Sequence, residues 1–223
     1  MIKLDLHVHS QYSEDATGTP NEIIRSLKKK GISGAAITDH NTTKGGLAAL
    51  RVAPKDFTII PGIEISTSEG HLLALNVKED IKKGNSLEET VESVIDFGGI
   101  PVVPHLFRMM SGIKESKLKQ VYGKIPAIEV FNGCSVPKSN LKTAKVAKKY
   151  DLGGTGGSDS HQPEFVGLAY TMINSTDLSV DSILSEIKNK KTWGEGTTMP
   201  FTYRRDRMVK SIKQFFQRGL KRI

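Results

Sequence analysis

In the stretch Met1-Ile-Lys-Leu-Asp-Leu-His-Val-His9, apolar and polar side chains alternate from Ile2 onward. A period of two is typical of a β-strand, in which successive side chains point to opposite faces. His7 and His9 therefore lie on one face of the predicted strand, where both imidazoles can bind the same ion. In a β/α barrel, a pair placed at the end of a strand lies on the face where reaction sites are built.

The remainder of the chain continues as a regular alternation of strands and helices. Short apolar segments predict strands at 32–38, 57–60, 71–77, 100–104, 127–131 and 153–157. Helices are expected at 20–31, 43–52, 86–97, 115–122 and 138–149, and a last pair of elements at 166–173 and 180–190. Such alternation with short connections favours a parallel sheet, either closed as a barrel or doubly wound.

Length and composition favour a globular domain. The chain has 223 residues, of which 37% are hydrophobic and 25% charged, so a sizeable core can form and disorder is excluded. The single cysteine, Cys134, excludes an internal disulfide framework and a cysteine zinc ribbon. Together with the lack of a signal peptide, this predicts a cytoplasmic protein, and no apolar run is long enough to span a membrane.

The net charge of +8 is concentrated at the C-terminus. Residues 201–223 contain eight basic side chains and one acidic one, whereas residues 1–200 contain 24 basic and 23 acidic groups. Apolar residues recur in the tail at helical spacing, which predicts a basic amphipathic helix over 203–222. We therefore divide the chain into a domain at 1–195 and a linker with a basic tail at 196–223. The tail could pack on the domain or contact another subunit, an anionic membrane surface or nucleic acid.

The six histidines and two carboxylates share positions at the ends of predicted strands. They are His7, His9, His40, Glu64, His71, His105, Asp159 and His161. Asp159 and His161 repeat the spacing of the first pair, so both side chains can point into one site. Imidazoles combined with carboxylates, without thiolates, suit zinc, manganese or iron ions. A single such residue is weak evidence for a metal site, whereas the joint pattern is strong.

These residues lie in short motifs that resemble those of a known family. In order they are Asp5-Leu-His7-Val-His9-Ser, Ile37-Thr-Asp-His40, Pro61-Gly-Ile-Glu64-Ile, His71-Leu-Leu, Pro104-His105 and Gly157-Ser-Asp159-Ser-His161. The set resembles the polymerase and histidinol phosphatase (PHP) superfamily over residues 1–195. The resemblance implies an α/β fold, a distorted seven-stranded (β/α) barrel of PHP type, here followed by a basic C-terminal helix. It also implies a trinuclear metal centre and phosphoesterase activity.

The resemblance also implies a metal ligand set, with two to three divalent ions of manganese, zinc or iron. The first ion would be held by His7, His9, Glu64 and Asp159. Glu64 would bridge to a second ion, which His71 and His105 also hold. The third ion would be held by Asp15, His40 and His161, with the adjacent Glu14 as the alternative to Asp15.

The implied reaction is hydrolysis of a small phosphomonoester, such as a sugar phosphate, histidinol phosphate or nucleotide, by a metal-activated hydroxide. Glu64, Asp159 and His161 are the expected catalytic residues. Arg108 is a candidate clamp for the substrate phosphate, since a guanidinium can bind phosphate oxygens bidentately. An exposed loop arginine is the alternative interpretation of Arg108.

Three other functions compete with this hypothesis. The same chemistry could act on nucleic-acid phosphodiesters held by the basic tail. An amidohydrolase-type metalloenzyme also begins with a His-x-His strand, but Glu64 comes early for its bridging ligand and Asp159-Ser-His161 differs from its lone late aspartate. A non-enzymatic metal-binding module that docks partners through the tail is the last alternative.

Overall fold

A computed structural model of the protein describes residues 1–217. Over that range the strands are β1 (Ile2–Val8), β2 (Gly34–Ile37), β3 (Thr58–Ser66), β4 (His71–Leu75), β5 (Ile100–Val103), β6 (Ala127–Asn132), β7 (Gly153–Gly157), β8 (Ala169–Ile173) and β9 (Thr192–Gly196). The helices are α1 (Pro20–Lys29), α2 (Lys44–Val52), α3 (Leu87–Asp96), α4 (Glu115–Val121), α5 (Pro137–Lys149), α6 (Val180–Lys188) and α7 (Phe201–Gln217). Strands and helices alternate through most of the chain, as the sequence pattern predicts.

The strands form one sheet in the order β7-β6-β5-β4-β3-β2-β1-β8-β9. The sheet closes on itself near the end of β1, where Val8 forms a bridge with Ser160, beyond β7. The backbone N–H of Asp159 donates to the carbonyl oxygen of His7 at 2.7 Å, and that of His9 donates to Ser160 at 3.0 Å. The predicted barrel is confirmed, and the sheet has nine strands rather than seven because β8 and β9 extend it beyond β1.

The expectation of a parallel sheet is only partly right. Strand β4 runs antiparallel to both β3 and β5, and β8 runs antiparallel to β1 and β9. A loop of residues 67–70, closed by a 2.8 Å hydrogen bond from Thr67 N to Gly70 O, joins β3 to β4. Such a connection is too short for the crossover that a parallel pair requires. As a result β4 begins at the end of the barrel where β3 and β5 end.

Helices cover the outside of the barrel through apolar faces. In α3, Ser86 accepts a hydrogen bond from the N–H of Glu89 at 3.3 Å, and the Glu89 carboxylate accepts one from the Ser86 N–H at 2.9 Å. This reciprocal pair confirms the capping box expected from the sequence. Val91 and Val94 of the same helix are fully buried in the cluster that contains Leu72 of β4. Packing of this kind holds the strands in register and so fixes the positions of their ends.

Several residues of the C-terminal region contact the barrel. The expected linker at 196–200 begins inside β9, and the backbone N–H of Met199 donates to Gly133 O at 2.8 Å. The predicted tail helix is present as α7, while Leu220 and Ile223 of its apolar pattern lie outside the described residues. The side chains of Met208 and Phe216 are 47% and 66% exposed. Within residues 1–217, no helix is long and apolar enough to cross a membrane.

Candidate metal centre

His7 and His9 lie at the carboxyl end of β1, and both side chains are buried. Their Nε2 atoms lie 3.2 Å apart, so the two rings converge on one point, as the alternation of β1 predicts. Burying an imidazole costs free energy unless its nitrogens find partners. The strand therefore directs two buried nitrogen donors toward one point at the carboxyl end of β1.

Glu64 extends from β3 into the middle of the cluster and is buried. Its Oε1 atom lies 2.8 Å from His71 Nδ1 and 2.9 Å from His105 Nε2. His71 reaches this position because it begins β4, which runs antiparallel to β3. His105 follows β5, which runs in the same direction as β3. Burial opposes the charge on Glu64, but the surrounding histidines hold the pKa of its carboxyl well below the ordinary value.

Asp159 closes the site from the segment after β7. Its backbone has a φ of 53°, in the left-handed region that aspartate tolerates better than most residues. The Oδ2 atom lies 2.5 Å from Arg108 Nη2 and accepts a hydrogen bond from Asn132 Nδ2 at 3.0 Å. These two contacts leave the Oδ1 atom directed at the histidines of β1.

The donor atoms of His7, His9 and Glu64 lie close enough together to share one ion, and Asp159 lies near both histidines. His7 Nε2 lies 3.4 Å from Glu64 Oε2 and 3.7 Å from Asp159 Oδ1. The corresponding distances from His9 Nε2 are 3.2 and 3.4 Å. A tetrahedral ion with bonds of about 2.0–2.2 Å requires donor atoms roughly 3.3–3.6 Å apart. His7, His9 and Glu64 therefore fit a divalent ion in both chemistry and spacing, and Asp159 Oδ1 lies beside the two histidines.

Asp15, His40 and His161 form a second group beside the first. His161 Nε2 lies 3.3 Å and His40 Nε2 3.9 Å from the Asp15 carboxylate. His40 Nδ1 also lies 3.1 Å from Glu64 Oε2, so this group adjoins the first one. The structure thus brings together all nine side chains that the sequence proposes as ligands, with Asp15 in contact with His40 and His161.

Arg207 of α7 also enters this group, and the sequence analysis does not predict it. Its Nη1 atom lies 3.0 Å from Asp15 Oδ2, and its Nη2 atom lies 2.7 Å from His161 Nε2. A guanidinium carries only N–H donors, so both contacts are donated by the arginine. No local motif marks Arg207, because its contact depends on where α7 docks.

Glu129 is a further buried contributor that the sequence analysis misses. Its Oε1 atom lies 3.0 Å from His7 Nδ1, and its Oε2 atom accepts hydrogen bonds from the His105 N–H and Asn132 Nδ2, both at 2.9 Å. A carboxylate on the second ring nitrogen fixes the tautomer and orientation of a ligating histidine. The available signal is its place inside the apolar strand β6, where a charged residue is rarely buried without a partner.

Asp39 supports His9 through a serine. The Ser13 hydroxyl donates to Asp39 Oδ1 at 2.7 Å and lies 3.2 Å from His9 Nδ1. The backbone N–H and hydroxyl of Ser10 donate to the same carboxylate at 2.7 and 2.6 Å. Both histidines of β1 are therefore held by hydrogen bonds on the nitrogen that faces away from the cluster.

Neighbouring carboxylates raise the pKa of the two histidines of β1. Burial alone would lower both values, but Asp159, Glu129 and Glu64 raise the pKa of His7 well above the ordinary value. For His9, hydrogen bonds with Asp159 and Glu64 overcome burial and raise the pKa to about 9. In the metal-free protein at neutral pH, both rings therefore retain their protons.

Two other histidines shift the opposite way. Burial, reinforced by the charge of Arg108, lowers the pKa of His105 to about 4. Burial and the neighbouring His9 lower the pKa of His161 to about 4 as well. These rings are neutral at pH 7.

Metal binding to the metal-free protein should release protons. A ligating imidazole must be neutral, so an ion that binds His7 and His9 displaces the protons that their raised pKa values retain. We expect about one to two protons released per ion at pH 7, and an affinity that rises with pH up to about 9. Titration calorimetry in buffers of different ionisation enthalpy measures the number of protons, and a heat that is independent of the buffer would contradict the expectation.

The Glu129→Gln variant tests the support of His7. In the variant, an amide nitrogen replaces one of the two carboxylate oxygens. It cannot accept the hydrogen bond from His7 or from the His105 N–H, so one of these residues is held less firmly. We expect metal affinity to fall by about 10–100-fold, as for other groups that orient ligands. Competition with a chelating dye measures the affinity, with the exposed Glu195→Gln substitution in β9 as the matched control. Equal affinities of the two variants would show that Glu129 does not orient the site.

The fold and the site together define a class of protein. A distorted β/α barrel with imidazoles and carboxylates gathered at one end of its strands is typical of metal-dependent hydrolases. The family model for the PHP domain matches residues 5–137, and the one described as PHP-associated matches residues 137–192. The chain belongs to the PHP family, as its motifs indicate.

Two curated relatives extend the comparison. The uncharacterized protein MJ1587 of Methanocaldococcus jannaschii is 36% identical over 143 residues, which cover 59% of this chain and 82% of the relative. A 3′,5′-nucleoside bisphosphate phosphatase of Chromobacterium violaceum is 36% identical over 83 residues. That match covers 34% of this chain and only 28% of the phosphatase.

A solved structure shows the same fold. It is a two-domain protein of Bacteroides vulgatus that contains a "predicted PHP-like metal-dependent phosphoesterase", with a TM-score of 0.76 and 18% sequence identity. The match covers 88% of this chain and 65% of that one, so this chain spans less than two thirds of the two-domain protein. The likeness supports the barrel assignment.

Proposed function

We propose that this protein is a metal-dependent phosphoesterase that hydrolyses a small phosphomonoester. The observation that carries the proposal is the group of buried imidazole and carboxylate donors, in which the Nε2 atoms of His7 and His9 lie 3.2–3.7 Å from Glu64 Oε2 and Asp159 Oδ1, beside the Arg108 guanidinium. The similarity to a nucleoside bisphosphate phosphatase supports a phosphomonoester as the substrate. The absence of a sequence motif for a protein nucleophile also favours metal-assisted attack by water.

Two sets of residues would hold divalent ions. The first is His7, His9, Glu64 and Asp159, and the second is Glu64 with His71 and His105. Glu64 belongs to both sets because its two oxygens face different histidines. Manganese, zinc or iron suits this mixture of imidazole and carboxylate donors. When bound, such ions neutralise phosphate oxygens and lower the pKa of water toward neutrality.

Arg108 would bind the phosphate group of the substrate. It lies in the loop between β5 and α4, where Asn132 Oδ1 accepts a hydrogen bond from its Nη2 atom at 2.9 Å. The ion pair with Asp159 fixes the plane of the guanidinium at the edge of the cluster. Since a guanidinium has five N–H donors in a rigid fork, several stay available for phosphate oxygens after these contacts.

A substrate panel tests this function. The purified full chain is loaded with manganese, and its metal content is measured by elemental analysis. It is then assayed with 4-nitrophenyl phosphate, a nucleoside 3′,5′-bisphosphate, bis(4-nitrophenyl) phosphate and a short oligonucleotide. We expect release of phosphate from the monoesters and slower cleavage of the diesters. A metal-loaded protein that cleaves no monoester would overturn the proposal, and preferential cleavage of the oligonucleotide would favour the nucleic-acid alternative.

A further inference from the structure

The first turns of α7 form one wall of the metal centre. The Tyr203 ring packs on Phe165 with ring centroids 4.4 Å apart, and Arg204 Nη1 donates to the carbonyl oxygen of Ser135 at 3.1 Å. Arg207 lies three and four residues further along, so it is on the same side of the helix. These contacts attach α7 to the loops after β6 and β7 and direct the Arg207 side chain inward.

The Arg207 guanidinium is bound to two residues that the family resemblance assigns to a third metal ion. Its Nη1 atom lies 3.0 Å from Asp15 Oδ2, and its Nη2 atom lies 2.7 Å from His161 Nε2. The side chain is 15% exposed, so the pair forms largely away from solvent. One guanidinium thus donates hydrogen bonds to both the Asp15 carboxylate and the His161 imidazole.

The contact with His161 uses the lone pair that a metal ion would need. His161 Nδ1 lies 3.1 Å from the carbonyl oxygen of Asp159, which can only accept a hydrogen bond. The Nδ1 atom therefore carries the proton, and Nε2 presents its lone pair to Arg207. A metal ion bonds to imidazole nitrogen at about 2.0–2.1 Å, so an ion on this lone pair would overlap a guanidinium nitrogen only 2.7 Å away.

At the other donor groups of the centre, no arginine within the described residues 1–217 contacts the atoms that face the proposed ions. Among the described side chains, the ion pairs of Glu64 are all with histidines. Arg108 pairs with Asp159 through Oδ2, on the side away from the donor group that Oδ1 joins. The protein therefore supplies its own cation at the position of Asp15 and His161, whereas it leaves the donor atoms around Glu64 to ions from solution.

We propose that Arg207 occupies the third cation position of the centre, so that the protein with α7 docked holds two divalent ions rather than three. This inference rests on the metal centre in the proposed function and is independent of the substrate. A fixed guanidinium supplies one positive charge at this position whatever the supply of metal. It also offers N–H donors, which recognise anionic oxygens by geometry as well as charge.

Metal stoichiometry tests the proposal without relying on activity. The full-length protein and its variants are stripped with a chelator and reloaded with manganese. They are then freed of weakly bound ions by gel filtration and analysed for metal per chain. We expect two ions in the wild type and three in Arg207→Gln, because the substitution frees the lone pair of His161. The matched control is Arg205→Gln on the same helix, whose side chain is 54% exposed and which should retain two ions.

A second variant keeps the test decisive if Arg207→Gln does not fold. Asp15→Asn should leave the count at two, since in our proposal Asp15 binds the guanidinium and no ion. Three ions in the wild type, an unchanged count in a folded Arg207→Gln, or the loss of an ion in Asp15→Asn would overturn the inference. Failure of the substrate panel with two ions bound would instead count against the proposed function and leave this inference standing.

Discussion

The Glu64→Gln variant should lose both proposed ions in a single step and at least about 10³-fold in kcat/KM, since removing even one preorganised electrostatic group typically costs about 10²–10³-fold. Glu64 is the only side chain in both proposed ligand sets, and its oxygens lie 2.8–3.4 Å from five imidazoles. Glutamine keeps the shape but removes the charge. Metal analysis and phosphomonoester turnover measure the two losses.

Two histidine variants test whether Glu64 binds both ions while each histidine binds only one. His71 contacts Oε1 of Glu64, whereas His9 contacts Oε2, so each belongs to one side of the carboxylate. We expect His71→Asn and His9→Asn each to lower the metal content by one ion. If Glu64→Gln also lost one ion only, the carboxylate would belong to a single site and the bridging role would be wrong.

Much of the fold follows from local patterns that a sequence displays directly. The alternation in β1 places His7 and His9 on one side, and the strand–helix alternation predicts the barrel. The number and direction of strands depend instead on connections. Strand β3 continues through Pro61 and Gly62 to Ser66, although that dipeptide is typical of a turn, and the short loop that follows forces β4 to run antiparallel.

Some site residues can likewise be predicted from nearby sequence, whereas others depend on contacts between distant parts of the chain. Asp159 and His161 could be placed near the site because they follow a strand, but both lie beyond β7 and the left-handed backbone of Asp159 rather than strand alternation directs its side chain. Glu129 was missed even though a carboxylate within an apolar strand is a visible signal. Arg207 could not have been found in this way, since it contacts a histidine 46 residues earlier and only the docking of α7 brings the two together.

Gly157 of β7 lies directly against the backbone of His7. A Cβ atom added there would lie 2.3 Å from His7 Cβ and 2.7 Å from His7 N, and neither atom can move without shifting β1. The Gly157→Ala substitution should therefore displace the His7 ring and destabilise the fold by about 1–3 kcal/mol. In a chain of this size that corresponds to a fall in Tm of roughly 2–12 °C. A displacement of about 1 Å at a catalytic group can cost about 10²-fold in rate.

The effect on function should therefore be larger than the effect on stability. We expect Gly157→Ala to remain folded at 25 °C while its metal affinity and kcat/KM fall by about 10²-fold. Thermal unfolding, metal titration and phosphomonoester turnover measure the three quantities. The control is Gly123→Ala, where an added Cβ atom meets nothing within 4 Å. Wild-type metal affinity in Gly157→Ala would show that β1 and β7 can separate at this point without moving His7, and the close approach of the two strands would then have no bearing on the metal centre.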